Sequence, residues 1–264
     1  MPGLRSIVSA ERLIEAWDDA VAVFERGVWR PEFQWPRALD VLDALRTDPH
    51  VRVTFLGDFT AEERADLAFE FTRAPVDEAS RYPFRLVHFD LARFYGRGQL
   101  LDGFQERVMI PWRVFLASLG FTWQRCYPIL FISTEGCSST YHVDASHGLV
   151  LQIEGDKTFR SFRNPERFAP VDQCIDPGIS SESPPAHSRS DVVTFRLGPQ
   201  DMLWSPIFAP HWVTAESPIA MNLNIAHGAL AHQGQLNPKE RSLRAHWDAN
   251  PSLPWQTDFR HIRY

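Results

Sequence analysis

From Pro128 to Ala226 the chain is written in short runs of β-forming residues cut apart by turn residues. No other feature limits its possible folds so strongly. PILFIST, GLVLQIEG, KTFRSFR, DVVTFRLG, DMLWSPI, HWVTAES and AMNLNIA follow in order, with Gly, Pro, Asn, Asp or Ser between them. Strands this short cannot bury an apolar face alone, so they must close on one another as a sandwich or barrel. One segment breaks the series. DPGISSESPPAHSRS holds too much Pro and Ser for an inner strand, because proline removes a ladder donor, and it is predicted to be a long exposed loop.

The first 120 residues read differently. Leu13, Ile14, Trp17, Val21 and Phe24 recur at helical spacing behind Ser9, which predicts one amphipathic helix over residues 10–26. A second helix is predicted after Pro36 (RALDVLDALR), and a third from Thr60 (AEERADLAFEF), whose early acids suit a helix start. VRVTFLG between them reads as a strand. The organisation expected is a helical or mixed N-terminal elaboration over 1–120, a β-rich core over 121–230, and a C-terminal arm over 231–264. The arm's weak periodicity leaves open a terminal helix or a homodimer contact.

Composition narrows the partners. A net charge of -6 without any clustered basic run argues against a nucleic-acid surface. Cys126, Cys137 and Cys174 form no CxxC and leave an odd thiol, so neither a zinc knuckle nor a disulfide framework is indicated and a reducing compartment is expected. MPGLRSIVSAERLIEAW meets acidic residues before any apolar run of signal-peptide length, and no stretch reaches membrane-span length. The expectation is a soluble cytoplasmic protein without a membrane partner.

The chemistry concentrates around STYHVDASHGLV. His142 and Asp144 are two apart, and residues i and i+2 of a strand share a face, so both can address one ion. His211, beyond the Pro/Ser loop, supplies a third ligand if the β fold closes. Two imidazoles and a carboxylate leave three coordination positions open, the arrangement of non-haem Fe(II) oxygenases. Zinc hydrolases use the same donors, but their helical HExxH is absent. His147 lies an odd number of residues from His142 and faces away if the strand continues. His147, His227 and His232 are therefore read as non-ligands, with His227 a candidate substrate contact. Trp204 and Trp212 are read as core.

Further motifs fall in a familiar order. Gly136 precedes His142 by five intervening residues, as in the cupin pattern, with Asp144 in place of that pattern's second histidine. EGCSSTYHVD, LQIEGDKTFRSF, RNPERF and then His211 follow in sequence. Over roughly residues 128 to 228 the chain thus resembles the JmjC (jumonji C) branch of cupin-like Fe(II)- and 2-oxoglutarate-dependent oxygenases, in particular its asparaginyl-hydroxylase-like members.

The resemblance implies a mostly β fold: a double-stranded β-helix, the jelly-roll or cupin-like barrel, with a helical N-terminal elaboration and a C-terminal arm. It implies Fe(II) on His142, Asp144 and His211, with 2-oxoglutarate and O2 as co-substrates. Lys157, fifteen residues after His142, matches the lysine that pairs with the distal carboxylate of 2-oxoglutarate. Many related enzymes use an arginine shortly after the distal histidine, but Trp212 to Glu240 contains none. The other reading of Lys157 is a solvated strand lysine. Ser139 or Thr140 would add a hydroxyl, and Asn224, or else Asn222, an amide.

The implied reaction hydroxylates a C–H bond of a protein, peptide or small molecule and releases succinate and CO2. No reader module accompanies the barrel, which disfavours a chromatin demethylase. The rivals are a metal-dependent cupin isomerase or hydrolase without 2-oxoglutarate, and a non-catalytic cupin-like binder. SSESPP and the aromatic-rich N-terminal half are expected to shape a lid.

Overall fold

The computed structural model describes residues 6–176 and 178–250. In the N-terminal part these form β1 (Ser6–Ile7), α1 (Ala10–Ala16), β2 (Ala22–Phe24), α2 (Ala38–Leu45), β3 (Val51–Phe55), α3 (Ala61–Arg73), α4 (Val76–Ala79), β4 (Phe84–His88), α5 (Ile110–Ser118) and β5 (Phe121–Thr122). The barrel strands are β6 (Arg125–Thr134), β7 (Ser138–His142), β8 (His147–Glu154) and β9 (Lys157–Phe162). After α6 (Pro165–Phe168), α7 (Val171–Ile175) and the short β10 (Ser180–Ser181) come β11 (Val192–Leu197), β12 (Met202–Ser205), β13 (His211–Ala215) and β14 (Ile219–Gly228). The chain continues through β15 (Ala231–His232), β16 (Gln235–Leu236) and α8 (Pro238–Ala249).

Two sheets face each other. The larger runs β1-β2-β12-β8-β14-β6-β4-β3 and the smaller β10-β7-β13-β9-β11. Barrel strands alternate between the sheets except at β9 and β11, which pair within the smaller one, and β14 returns to lie between β6 and β8. This is the double-stranded β-helix expected from the sequence. Pro128 fits inside β6 because β4 pairs only with residues 130–133, so its missing N–H faces no partner there.

Side-chain alternation divides each strand of the large sheet between two environments. Along β8, Gly148, Val150 and Gln152 point between the sheets, while Leu149 and Leu151 join the main apolar core on the other side. β14 does the same: Asn222, Asn224 and Ala226 face in, and Met221, Leu223 and Ile225 face out. The outer residues pack under the N-terminal layer with Leu42, Leu45, Phe71, Phe84 and Trp112, so elaboration and barrel share one core.

The first predicted helix of the N-terminal elaboration is shorter than expected. The helix expected over 10–26 ends at Ala16, and residues 22–24 form β2, with Val23 opposite Leu203 of β12. An open edge of the large sheet offers hydrogen bonds that outweigh the helical spacing, and Trp17, Val21 and Phe24 are buried all the same. β3 and β4 extend the opposite end. The other predicted helices form as expected, α3 with a reciprocal Thr60–Glu63 capping box.

The Pro/Ser loop is largely exposed, as predicted, including the two-residue β10 that pairs with β7. α8 realises the terminal helix within the arm, capped by the Asn237 side chain, which accepts from Glu240 N at 2.7 Å. Residues 251–264 of the arm lie outside the described residues. Cys126, Cys137 and Cys174 are free and buried. No described helix is long and apolar enough to cross a membrane.

Candidate metal centre

His142 ends β7 and His211 begins β13, and the two are direct partners in the antiparallel ladder. Their rings meet with centroids 4.3 Å apart. Asp144 reaches the same point from the turn after β7, where its carbonyl accepts from Phe208 N at 3.0 Å. The same-face argument for the doublet therefore needs correction. β7 stops at His142, and the turn, rather than strand alternation, brings Asp144 in. The same break removes the parity argument for His147, which begins a new strand.

One ligand atom from each of His142, Asp144 and His211 lies within 4.8 Å of the others. Nε2 of His142 is 3.8 Å from Asp144 Oδ1, and Nε2 of His211 is 3.7 Å from Asp144 Oδ2. Donors at right angles around an ion bound at ~2.1 Å stand about 3 Å apart, so a contraction of up to about 2 Å from the 4.8 Å limit would close the shell.

The tautomers suit that task. His142 Nδ1 lies 2.7 Å from the Thr140 carbonyl and His211 Nδ1 2.9 Å from the Ala209 carbonyl, so each Nδ1–H donates to backbone. Both Nε2 lone pairs are left facing Asp144. Phe159 stacks on His211 with centroids 4.7 Å apart. Burial, aided by the neighbouring His142, pushes His211 down to about 4, so its ring is neutral and able to bind metal at pH 7.

The three groups line one wall of a cavity of about 810 Å³ between the sheets. Lys157, the first residue of β9, enters the same cavity and is only 5% exposed. Its Nζ donates to Asn222 Oδ1 at 2.6 Å and to Ser133 Oγ at 3.1 Å. Among the described residues no carboxylate lies within ion-pair distance of it. Burial, with Arg85 adding repulsion, pushes its ammonium down to about 7. The solvated-lysine reading is thus excluded by its surroundings.

The supporting polar residues divide less evenly than the sequence suggested. Asn222 is the amide that touches Lys157, and Asn224 accepts from Asn222 Nδ2 at 2.7 Å, one step removed. Ser139 and Thr140 both line the cavity, but Ser139 Oγ already accepts from Val213 N at 3.2 Å. Ser133 and Arg85 were not singled out from sequence. PFRLVHF does carry an alternating signal, with Arg85 between buried Phe84 and Leu86.

The remaining histidines stay away from the centre. His147 is fully buried, its Nδ1 accepting from Ile207 N at 3.3 Å. His227 does not touch the cavity, which corrects the expected substrate contact. It lies on the outward face of β14 and accepts from Trp112 Nε1 at 2.7 Å. His232 packs on Phe121. Trp204 is core, as predicted, whereas Trp212 is half-buried against Tyr141 and Phe162. Of SSESPP only Ser180 lines the cavity, next to Cys174, Ile175 and Ile179 from the segment just before it and Leu243 and Trp247 of α8.

Fold and cluster together define a class: cupin-like double-stranded β-helix proteins with two histidines and a carboxylate gathered at the end of the second barrel strand. No protein-family model and no curated protein matches the chain. Among solved structures it is similar to YcfD of Escherichia coli, described as a ribosomal oxygenase. With one YcfD structure it shares 15% identity and a TM-score of 0.55 over 97% of this chain and 70% of YcfD. With YcfD in complex with cobalt and 2-oxoglutarate it shares 15% identity and a TM-score of 0.51 over 96% and 70% of the two chains. The cobalt and succinic acid complex gives 14% identity and a TM-score of 0.52 over 98% and 70%. The likeness establishes the shared fold.

Proposed function

We propose that this protein is an Fe(II)- and 2-oxoglutarate-dependent oxygenase that hydroxylates a C–H bond of a protein, peptide or small molecule. The observation that carries this reading is Lys157, a buried cation without a carboxylate partner among the described residues, in the same cavity as the two-histidine, one-carboxylate cluster. A buried ammonium is costly unless an anion compensates it. An isomerase or hydrolase working from the cluster alone has no use for that cost, whereas a dicarboxylate co-substrate supplies the missing charge. The YcfD complexes with cobalt and 2-oxoglutarate or succinic acid support the same choice.

The donor set fits iron: two imidazoles and one carboxylate on one face, with the remaining positions open. Bound there with 2-oxoglutarate and O2, iron supplies the oxidising chemistry. The chain's residues hold and orient. Backbone carbonyls of Thr140 and Ala209 fix the imidazole rings, and Phe159 braces His211. Lys157, steadied by Asn222 and Ser133, receives the distal carboxylate of the co-substrate. Ser139, Thr140 and Asn224 border that space as further polar contacts. The cavity, at about 810 Å³, has room beyond the co-substrate for part of a substrate.

The test is anaerobic addition of Fe(II) and then 2-oxoglutarate to the purified protein. Growth of the visible metal-to-ligand charge-transfer band is expected, followed by succinate release when air is admitted. A protein that binds Fe(II) but never develops the band is not a 2-oxoglutarate enzyme.

A further inference from the structure

Arg85 belongs to the N-terminal β4, not to the barrel, yet it faces the same cavity as Lys157. In the sheet it is in register with Ser133 of β6 and Thr54 of β3. Ser133 is the residue whose hydroxyl receives Lys157 Nζ, so the guanidinium and the ammonium flank one serine. Arg85 Nε is buried without a hydrogen-bond partner. Among the described residues no carboxylate lies within ion-pair distance of Arg85, and none compensates the pair. In a chain with 33 Asp and Glu against 27 Lys and Arg, a buried lysine and a half-buried arginine sharing a recess with no carboxylate in ion-pair distance is not a composition effect. Like charges in a desolvated recess repel, and an anion placed between them reverses the sign of the interaction.

We propose that Arg85 is the second cation of a two-cation pocket that grips the distal carboxylate of a short dicarboxylate, Lys157 from the barrel and Arg85 from the N-terminal layer. The planar guanidinium fork matches a carboxylate edge, while the ammonium acts as a point charge beside it. Ile129, Phe131 and Val213 also line the cavity and give the ligand's methylene chain apolar contact, which a free inorganic oxyanion would not use. Naming 2-oxoglutarate as the dicarboxylate rests on the function proposed above; the pocket itself rests on Arg85, Lys157 and Ser133.

The test is calorimetric titration of the full chain with glutarate, which keeps both carboxylates of 2-oxoglutarate but lacks the oxo group, and separately with inorganic phosphate. Arg85→Gln and Lys157→Gln are each expected to weaken glutarate by about tenfold or more. Arg85→Lys, which keeps the charge but loses the fork, is expected to fall between parent and Arg85→Gln, and it serves in its place if Arg85→Gln does not fold. Glutarate affinity within twofold of the parent in both Arg85 variants, with Lys157→Gln still impaired, overturns the role of Arg85 and leaves the 2-oxoglutarate reading standing. A parent that binds phosphate but not glutarate overturns the dicarboxylate assignment and that reading with it. A parent that binds neither overturns the pocket.

Discussion

His211 and His142 are cross-strand partners in the small sheet, each with Nδ1 committed to a backbone carbonyl and Nε2 turned toward Asp144. The cluster is preorganised by the ladder itself. Asp144 is half exposed at 51% and contributes little to packing, so Asp144→Ala is expected to abolish tight divalent-metal binding with little change in thermal stability. His211→Ala is expected to do the same with a moderate stability loss, because His211 is buried against Phe159. Anaerobic calorimetry with Fe(II) or Co(II) checks both, and unchanged affinity in both would end the assignment.

Lys157→Ala is expected to weaken 2-oxoglutarate far more than iron. Loss of a charge-assisted hydrogen bond in a partly desolvated site costs on the order of 2 kcal/mol, roughly thirtyfold in affinity. Titrating the anaerobic charge-transfer absorbance against 2-oxoglutarate concentration measures it. A variant that titrates like the parent places the anchor elsewhere.

The same lysine makes stability depend on pH. Its folded value is about 7 against an ordinary 10.5, so between those limits the unfolded chain binds more protons and stability rises with pH, by up to ~1.4 kcal/mol per unit. Cys126, raised to about 11 by burial, starts to oppose the trend once pH passes its ordinary 9, so the clean window is about pH 7 to 9. Urea midpoints over that window are expected to climb for the parent and to stay flatter for Lys157→Met. Lys157→Met is also expected to be the more stable protein at pH 7, since it removes a buried charge. Parallel curves for the two would sink the claim.

Acid acts through different groups. Burial pushes His147 and His227 down to about 3 each, and His211 to about 4, so all three stay neutral in the fold while their unfolded counterparts protonate below 6.5. The histidines' contribution to stability, complete above pH 6.5, is therefore expected to fall steadily as pH drops toward 4. His227→Gln, which removes one of the three, should show a shallower slope of urea midpoint against pH.

Gly155 forms the turn between β8 and β9 that delivers Lys157. Its φ is +65°, and a Cβ there would stand 2.3 Å from the Ile219 carbonyl oxygen. Gly155→Ala is expected to cost more than about 1 kcal/mol, through a strained backbone and a clash with main chain that cannot rotate aside. Urea denaturation gives the number, and a neutral result would mean that the turn relaxes.

The strands of the barrel were legible in sequence because alternation and turn residues are local signals, and α3 because its acidic first turn is one too. His142, Asp144 and His211 were legible as donor types at telling spacings, although their convergence depends on the β7–β13 ladder. β2 was not legible: the edge of β12 that captures it lies far away in sequence and leaves no mark on residues 22–24. The fate of His227 was legible but missed, since it stands three residues from Asn224 on one regular stretch of strand and so faces the opposite side. The ranking of Asn222 against Asn224 depends on where Lys157 enters, which no local pattern records. Arg85 was overlooked because its importance comes from a strand added beside β6, outside the segment that carries the motifs.

The position of β14 also bears on how the molecule is made. β6 and β8 leave the ribosome well before the strand that joins them, and neither can pair across the gap that β14 later fills. Until residues 219–228 emerge, the nascent chain presents two long strands with open edges, Leu130 and Ile132 on one and Leu149 and Leu151 on the other. Such edges invite pairing with other chains. Translation of the stretch between residues 154 and 228 is therefore the interval in which this protein most needs a chaperone, and a pause there is expected to send it into aggregates.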